Sequence, residues 1–270
     1  MTTLDSGAPE CHWTLSDGVL DIHVQRPQVR NAFSPEVYGS VKRGVILAGS
    51  RDDVRVVVLR GTPGAFGVGG DLSIFLGLLD KGRQEFLDRF ESRYDEPLPF
   101  HAMLTCPKPV IAAVDGLAVA GGMLLAACAD ITLATPRSTF AIPEARVGLS
   151  DGIAATLLPG IVGVARARYL LLTGASIDAK TAADWGVVTA VVEDLPAETA
   201  RVVGELRRCS PRAQAAYKHM VNESIRMPSA RPLMDSAVDG DGSAGLRAFV
   251  EKRTPPWLCG PDGSPTERGR

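Results

Sequence analysis

Strand-like and helix-like patterns of apolar positions alternate along most of this chain. Val19–Val24 alternates apolar and polar side chains, as a half-buried strand does. Arg26-Pro27 ends it, and Ser34-Pro35-Glu36 reads as a helix start, with proline in the first turn. The helix expected over residues 35–48 sets Val37, Val41, Val45 and Ala48 on one side. Residues 54–59 are β-branched and almost continuously apolar, the pattern of a strand covered on both faces. A glycine-rich turn, Ala65-Phe66-Gly67-Val68-Gly69-Gly70-Asp71, and a short helix follow, with Asp71 as a helix-start residue. Residues 80–105 are charged and then amphipathic. Residues 80–95 predict a mobile, solvent-facing segment, and a helical turn over 101–104 precedes Pro107.

Val110–Val114 predicts another buried strand, residues 121–129 an almost wholly apolar and therefore buried helix, and Ile131–Ala134 a short strand. Beyond Phe140 come a loop carrying Glu144, a second glycine-containing loop over 148–152, and a helix over 165–172. Ser176-Ile177-Asp178-Ala179-Lys180 caps a helix that ends at Trp185-Gly186, and residues 187–192 read as a strand. From residue 197 to about 253 the pattern is helical. Residues 1–10 read as a frayed tail and 260–270, polar and rich in Gly and Pro, as disordered. The whole predicts an α/β core of repeated ββα-type turns over residues 1–196 and a helical unit over 197–270.

Composition narrows the function. The 270 residues are 45% hydrophobic and 22% charged with net charge −2, which argues against a nucleic-acid surface. No apolar run reaches the length of a membrane span, and the first residues lack the basic and apolar regions of a leader, so a cytoplasmic protein without a membrane partner is expected. The 5 cysteines are scattered with no C-x-x-C pair, which points to reduced thiols and to no metal site. Ser150 is not on a G-x-S-x-G elbow, and Gly67-Val68-Gly69 does not extend to G-x-G-x-x-G because position 72 is Leu. A hydrolase triad and a dinucleotide site are therefore disfavoured.

The chemistry concentrates in two places. The strand ending at Val114 runs through Asp115-Gly116 into Ala120-Gly121-Gly122, where a helix opens with bare backbone amides; the turn over 65–71 does the same. Helix N-termini carry unpaired N–H groups and the positive end of the helix dipole. Two such turns converging on one oxygen would stabilise an oxyanion. The plainer alternative for Gly121-Gly122 is close helix–strand packing.

These stretches resemble the crotonase superfamily, the enoyl-CoA hydratase/isomerase family. The likeness is carried by Arg26-Pro27 with Asn31-Ala32-Phe33-Ser34, by residues 56–59 with 65–72, by 109–122, by Ala129-Asp130, by 140–148, by Leu172-Thr173-Gly174, by Ala179 with Trp185-Gly186-Val187-Val188, and by 248–253. Order and spacing hold over roughly residues 15–253. The resemblance implies a spiral of ββα units, a C-terminal helical region that builds homotrimers or dimers of trimers, and an acyl-CoA thioester substrate, with coenzyme A as part of the substrate and no separate cofactor. It places the oxyanion-hole amides at Gly70 and Gly121, with Val68, Gly69 and Leu124 in the substrate pocket. Phe249 and Lys252 match positions that reach the CoA of a neighbouring subunit, or they pack and solvate the C-terminal helix. Arg30 would pair with a CoA phosphate or with a neighbouring acid.

The resemblance also shows a departure. Hydratases of this family use two glutamates, and the first of these positions is Leu124 here, which can neither orient water nor move a proton. The second matches Glu144. One carboxylate beside an oxyanion hole suits a proton shuttle, as in Δ3,Δ2-enoyl-CoA isomerisation, and the apolar Leu124 acts to raise the pKa of Glu144. Asp151 either caps the helix starting near Gly152 or serves as a second acid, in which case hydration or hydratase-lyase chemistry through Glu144 with Asp151 opens again. A non-catalytic acyl-CoA-binding paralogue is the other alternative.

Overall fold

The alternating and continuous apolar runs become two sheets that share the chain turn by turn. In the computed structural model, which describes residues 1–82, 99–225, 231–238 and 241–259, the strands are β1 (Thr2–Leu4), β2 (Cys11–Ser16), β3 (Val19–Val24), β4 (Val56–Arg60), β5 (Ala65–Gly67), β6 (Val110–Val114), β7 (Leu117–Val119), β8 (Ile131–Ala134), β9 (Thr139–Ala141), β10 (Ser176–Asp178) and β11 (Ala190–Val191). The large sheet has the order β1-β2-β3-β4-β6-β8-β11, antiparallel over its first three strands and parallel from β3 onward. The small sheet has the order β10-β9-β7-β5. The consecutive pairs β4/β5, β6/β7 and β8/β9 each give one strand to the large sheet and the next to the small one. That is the expected ββα repeat.

The helices are α1 (Pro35–Ser50), α2 (Leu72–Leu79), α3 (Pro99–Thr105), α4 (Gly121–Cys128), α5 (Gly152–Val162), α6 (Val164–Thr173), α7 (Ala179–Asp184), α8 (Leu195–Arg208), α9 (Pro211–Asn222), α10 (Arg231–Val238) and α11 (Asp241–Val250). Their starts follow from short polar side chains that satisfy the free N–H groups of a first turn. Ser34 Oγ accepts from Val37 N at 3.3 Å, and Asp178 Oδ1 from Thr181 N at 2.7 Å. Val37, Val41, Val45 and Ala48, the expected stripe of α1, are all fully buried.

Alternation within the central strands divides the core. Val57, Leu59, Val110, Ala112 and Val114 face the main cluster with α1 and α4, while Val56, Val58, Ile111 and Ala113 face a second cluster with Leu195, Val202 and Val203 of α8. Both faces of β4 and β6 are thus covered, which is why these strands read as continuous apolar runs. On α9, Lys218 donates to Asp130 Oδ2 at 2.7 Å and to the Lys108 carbonyl at 3.2 Å, tying that helix to the ends of the central strands.

Several expectations need correction. The first residues are not frayed: β1 pairs with β2, Ser6 and Ala8 are buried, and Arg43 donates to the Ser6 carbonyl. The strand expected over 187–192 is only Ala190–Val191. The N–H groups of Val187 and Val188 instead bond to Ala182 O at the end of α7. Residues 83–95 of the charged segment and the tail over 260–270 lie outside the described residues. Among the described residues no helix is long and apolar enough to cross a membrane.

Candidate active site

The first glycine turn is fixed by the segment before α1. Phe33 N donates to Gly69 O at 2.7 Å, and Asp71 N donates to Phe33 O at 3.0 Å. Asp71 caps α2 by accepting from Ser73 N. Its carboxylate pairs with Arg26, which also bridges to Glu10 and donates to the Ala32 carbonyl. Buried Asn31 donates to Ala65 O at 2.7 Å and accepts from Arg26 N at 2.6 Å. These bonds hold the residues before α1 against β5 and leave the Gly70 N–H outside the bonded ladder.

The second turn is held from the other side. Ala120 N donates to Ala141 O at 2.8 Å, and Ala120 adopts φ 54° and ψ −127°, a region that an L side chain adopts at a cost of order 1–3 kcal/mol. Such strain persists only where surrounding contacts dictate it. Here it aims the first turn of α4. The two turns pack backbone to backbone: a carbon added to Gly69 would lie 2.5 Å from Ala120 Cβ and 3.1 Å from Gly121 N, and one added to Gly122 would overlap the Gly67 carbonyl. Glycine is required there by close approach. Neither Gly70 N–H nor Gly121 N–H has an acceptor among the described residues.

Glu144 follows β9 by three residues and opens the short 3-10 turn Glu144–Val147. The Ala120–Ala141 bond therefore carries the acid on the same support as the second glycine turn. The residue is partly exposed, yet its Oε2 is fully enclosed and has no hydrogen-bond partner. Burial, and then the negative charge of Asp151, push its pKa up to about 8. Asp151 caps α5: its Oδ1 accepts from Ile153 N at 2.7 Å and from Ala154 N at 3.1 Å. Its own pKa is raised by burial, against the pull of those two amides. Leu124, on the first turn of α4, is buried in the main core.

The sequence profile of the enoyl-CoA hydratase/isomerase family matches residues 14–259. The chain belongs to the enoyl-CoA hydratase/isomerase family. It is 28% identical over 250 residues to the mouse enoyl-CoA hydratase domain-containing protein 3, mitochondrial, covering 89% of this chain and 82% of that protein. It is also 28% identical over 259 residues to the trans-2-decenoyl-[acyl-carrier-protein] isomerase of Streptococcus mutans, covering 91% and 97%. The solved enoyl-CoA hydratase from Mycobacterium avium superposes with a TM-score of 0.75 at 30% identity, covering 93% and 99% of the two chains. The two-sheet spiral is the crotonase fold of this family.

Within this enoyl-CoA hydratase/isomerase fold, the structure brings the two glycine turns and the Glu144 turn together through shared backbone bonds. Val68 is half-buried on the first turn and Gly69 is buried beneath it. Arg30 is exposed and closes a short 3-10 turn in a left-handed conformation. Phe249 is 60% exposed at the end of α11, and Lys252 is exposed beyond it. Helix α11 itself docks on the body of its own chain. Its Gly245 meets the Val147 carbonyl so closely that an added carbon would overlap it, a carbon on Gly148 would lie 2.6 Å from Asp241 O, and Arg247 pairs with Asp80 of the segment after α2. Leu246 and Met234 are buried there against Leu78 and Leu149. Leu246 is thus covered within one chain. Among the described residues no group of three or more His, Cys, Asp or Glu side chains is placed to hold a metal ion.

Tyr38 escaped the sequence reading. It sits one position past Val37 on α1, half-buried, and a carbon added to Gly121 would overlap its hydroxyl oxygen. The available signal was an aromatic side chain beside, rather than within, the valine stripe of α1.

Proposed function

We propose that this chain is an acyl-CoA enzyme that moves a proton with one carboxylate, converting a 3-enoyl to a 2-enoyl thioester. Ionised Glu144 takes a proton from C2. The electrons of that bond pass into the carbonyl, and the enolate oxygen accepts from the Gly70 and Gly121 amides. The dienolate then takes the proton back from Glu144 at C4, which moves the double bond from C3–C4 to C2–C3. The step is redox-neutral and calls for no cofactor beyond the CoA of the substrate. Val68, Gly69 and Leu124 are assigned to the thioester and acyl side, and exposed Arg30, Phe249 and Lys252 to the CoA.

The observation that carries this reading is Glu144 Oε2, buried and without a partner, in a site where the other family carboxylate position is Leu124. A structural carboxylate would have its buried oxygen satisfied. An oxygen left bare on a group whose pKa is about 8 suits a proton acceptor that also has to return its proton. The Streptococcus mutans relative, named as an isomerase, supports the same choice. The bare oxygen also speaks against a non-catalytic acyl-CoA-binding protein.

A second reading has one observation in its favour. The cap made by Asp151 uses Oδ1 alone. Its Oδ2 is not spent in that cap, and two-carboxylate hydration through Glu144 and Asp151 would use it. Parallel assays with 3-enoyl-CoA and 2-enoyl-CoA separate the two. Isomerisation should exceed hydration, and should fall by roughly 10²–10⁴ in Glu144→Gln while acyl-CoA still binds. Robust hydration that Asp151→Asn abolishes would instead establish the second reading.

A further inference from the structure

The acyl-CoA reading makes one oxygen, that of the thioester, the place where charge develops. Among the described residues, the hydroxyl of Tyr38 is a further polar group beside Gly121. Tyr38 is located by the first glycine turn: its ring meets Phe33 edge-on at 4.9 Å and Phe100 at 6.3 Å, and Phe33 is bonded through its backbone to Gly69 and Asp71. The other end of Tyr38 reaches the second turn. A carbon added to Gly121 would overlap the hydroxyl oxygen and lie 3.2 Å from Cζ. Covalent geometry therefore keeps that oxygen within about 4.5 Å of Gly121 N. Two donors that each reach a common acceptor at about 2.9 Å stand roughly 3.5–5 Å apart.

We propose that the Tyr38 hydroxyl is a third donor to the thioester oxygen, beside the Gly70 and Gly121 amides. This rests on the acyl-CoA reading given above and adds a catalytic residue to it. A phenol is a proton donor at neutral pH and carries no charge. It strengthens the hold on an enolate without burying a cation beside the N-terminus of α4, whose dipole already favours negative charge there. It also gives Gly121 a specific reason to lack a side chain, since any β-carbon would displace the hydroxyl.

The test uses the full-length enzyme and Tyr38→Phe, which keeps the ring and its contacts with Phe33 and Phe100. Three probes are read: turnover of the best enoyl-CoA, the ultraviolet absorbance of the enolate formed by bound acetoacetyl-CoA at fixed pH, and the affinity for a thioether analogue of acyl-CoA that lacks the carbonyl. Expected are a loss of roughly 10- to 100-fold in kcat/KM, a comparable loss in the enolate-to-keto ratio, and thioether affinity within about twofold of wild type. Turnover and enolate ratio both unchanged within about twofold would overturn the proposal. So would an equal loss on the thioether, which would mean that Tyr38 only shapes the pocket. Glu144→Gln is run beside it: if that variant keeps its turnover, the one-carboxylate reading fails, whereas an inactive Glu144→Gln with a neutral Tyr38→Phe removes only the third donor.

Discussion

The N–H of Ala120 is bonded to the carbonyl of Ala141 at 2.8 Å, and this one bond joins the two halves of the proposed chemistry. On one side it sets the first turn of α4, where Gly121 presents its amide. On the other it fixes the end of β9, three residues before Glu144. A shift in either turn is felt by the other, which suits a reaction in which charge leaves a carboxylate and appears on an oxygen held by amides.

The elevated pKa of Glu144 sets a pH profile. With a pKa of about 8, only about one Glu144 in ten is ionised at pH 7. As a base it acts in that form, so kcat/KM for 3-enoyl-CoA should rise with pH and reach half its maximum near pH 8. A plateau already complete by pH 6 would contradict the assignment.

The same group should cost stability at high pH. An unfolded glutamate titrates near 4.5, and the folded one near 8. Between these values the folded protein binds the proton that the unfolded chain has lost, so stability is fully present below about pH 4.5 and declines as pH rises through 8. Glu144→Gln removes that slope. Urea unfolding should show the variant gaining on wild type between pH 5 and 8.5, by a margin on the order of a few kcal/mol.

Asp151 should divide into two functions under substitution. Asp151→Ala loses the cap of α5 and should cost about 0.5–2 kcal/mol, whereas Asp151→Asn keeps an acceptor oxygen and should cost less. Both remove the negative charge that raises the pKa of Glu144, so the kcat/KM profile should move to lower pH in each. An unmoved profile in Asp151→Asn would show that the two carboxyls are not coupled.

Assembly is expected to be a homotrimer or a dimer of trimers. Helix α9 has no buried residue and exposes Tyr217, Met220 and Val221, while α6 exposes Val164, Tyr169 and Leu172. That apolar surface is large for a single chain to leave in water. Light scattering at micromolar concentration should give three or six times the chain mass, and charged substitutions at Tyr217 and Val221 should lower it.

Long elements were legible in the sequence because period and punctuation agreed. The α1 stripe, the Ser34-Pro35 start and the two-faced strands β4 and β6 all stand where the pattern puts them. The small sheet was not legible. Its strands are three residues each, too short to show a period, and they exist because each pairs with a neighbour supplied by another turn of the spiral. Residues 1–10 misled for a related reason: their polar composition hides Ser6 and Ala8, which are buried, with Arg43 donating to the Ser6 carbonyl. Glu144 was found through resemblance, but its enclosed bare oxygen is a fact of three dimensions. Asp151 was readable as a cap from its place before Gly152, whereas its electrostatic grip on Glu144 was not. Tyr38 reaches Gly121 across more than eighty residues, a pairing that no local pattern announces.

The docking of α11 on the turn that opens with Glu144 joins that turn to a part of the chain made long after it. Strands β1 to β9 and both glycine turns lie within the first 141 residues, and β10 and β11 follow by residue 191. Val147 and Gly148 gain their backing only when Asp241 and Gly245 arrive, a hundred residues later. Cutting the chain before α11 would therefore remove the backing of the turn that opens with Glu144 while leaving the residues of both glycine turns in place.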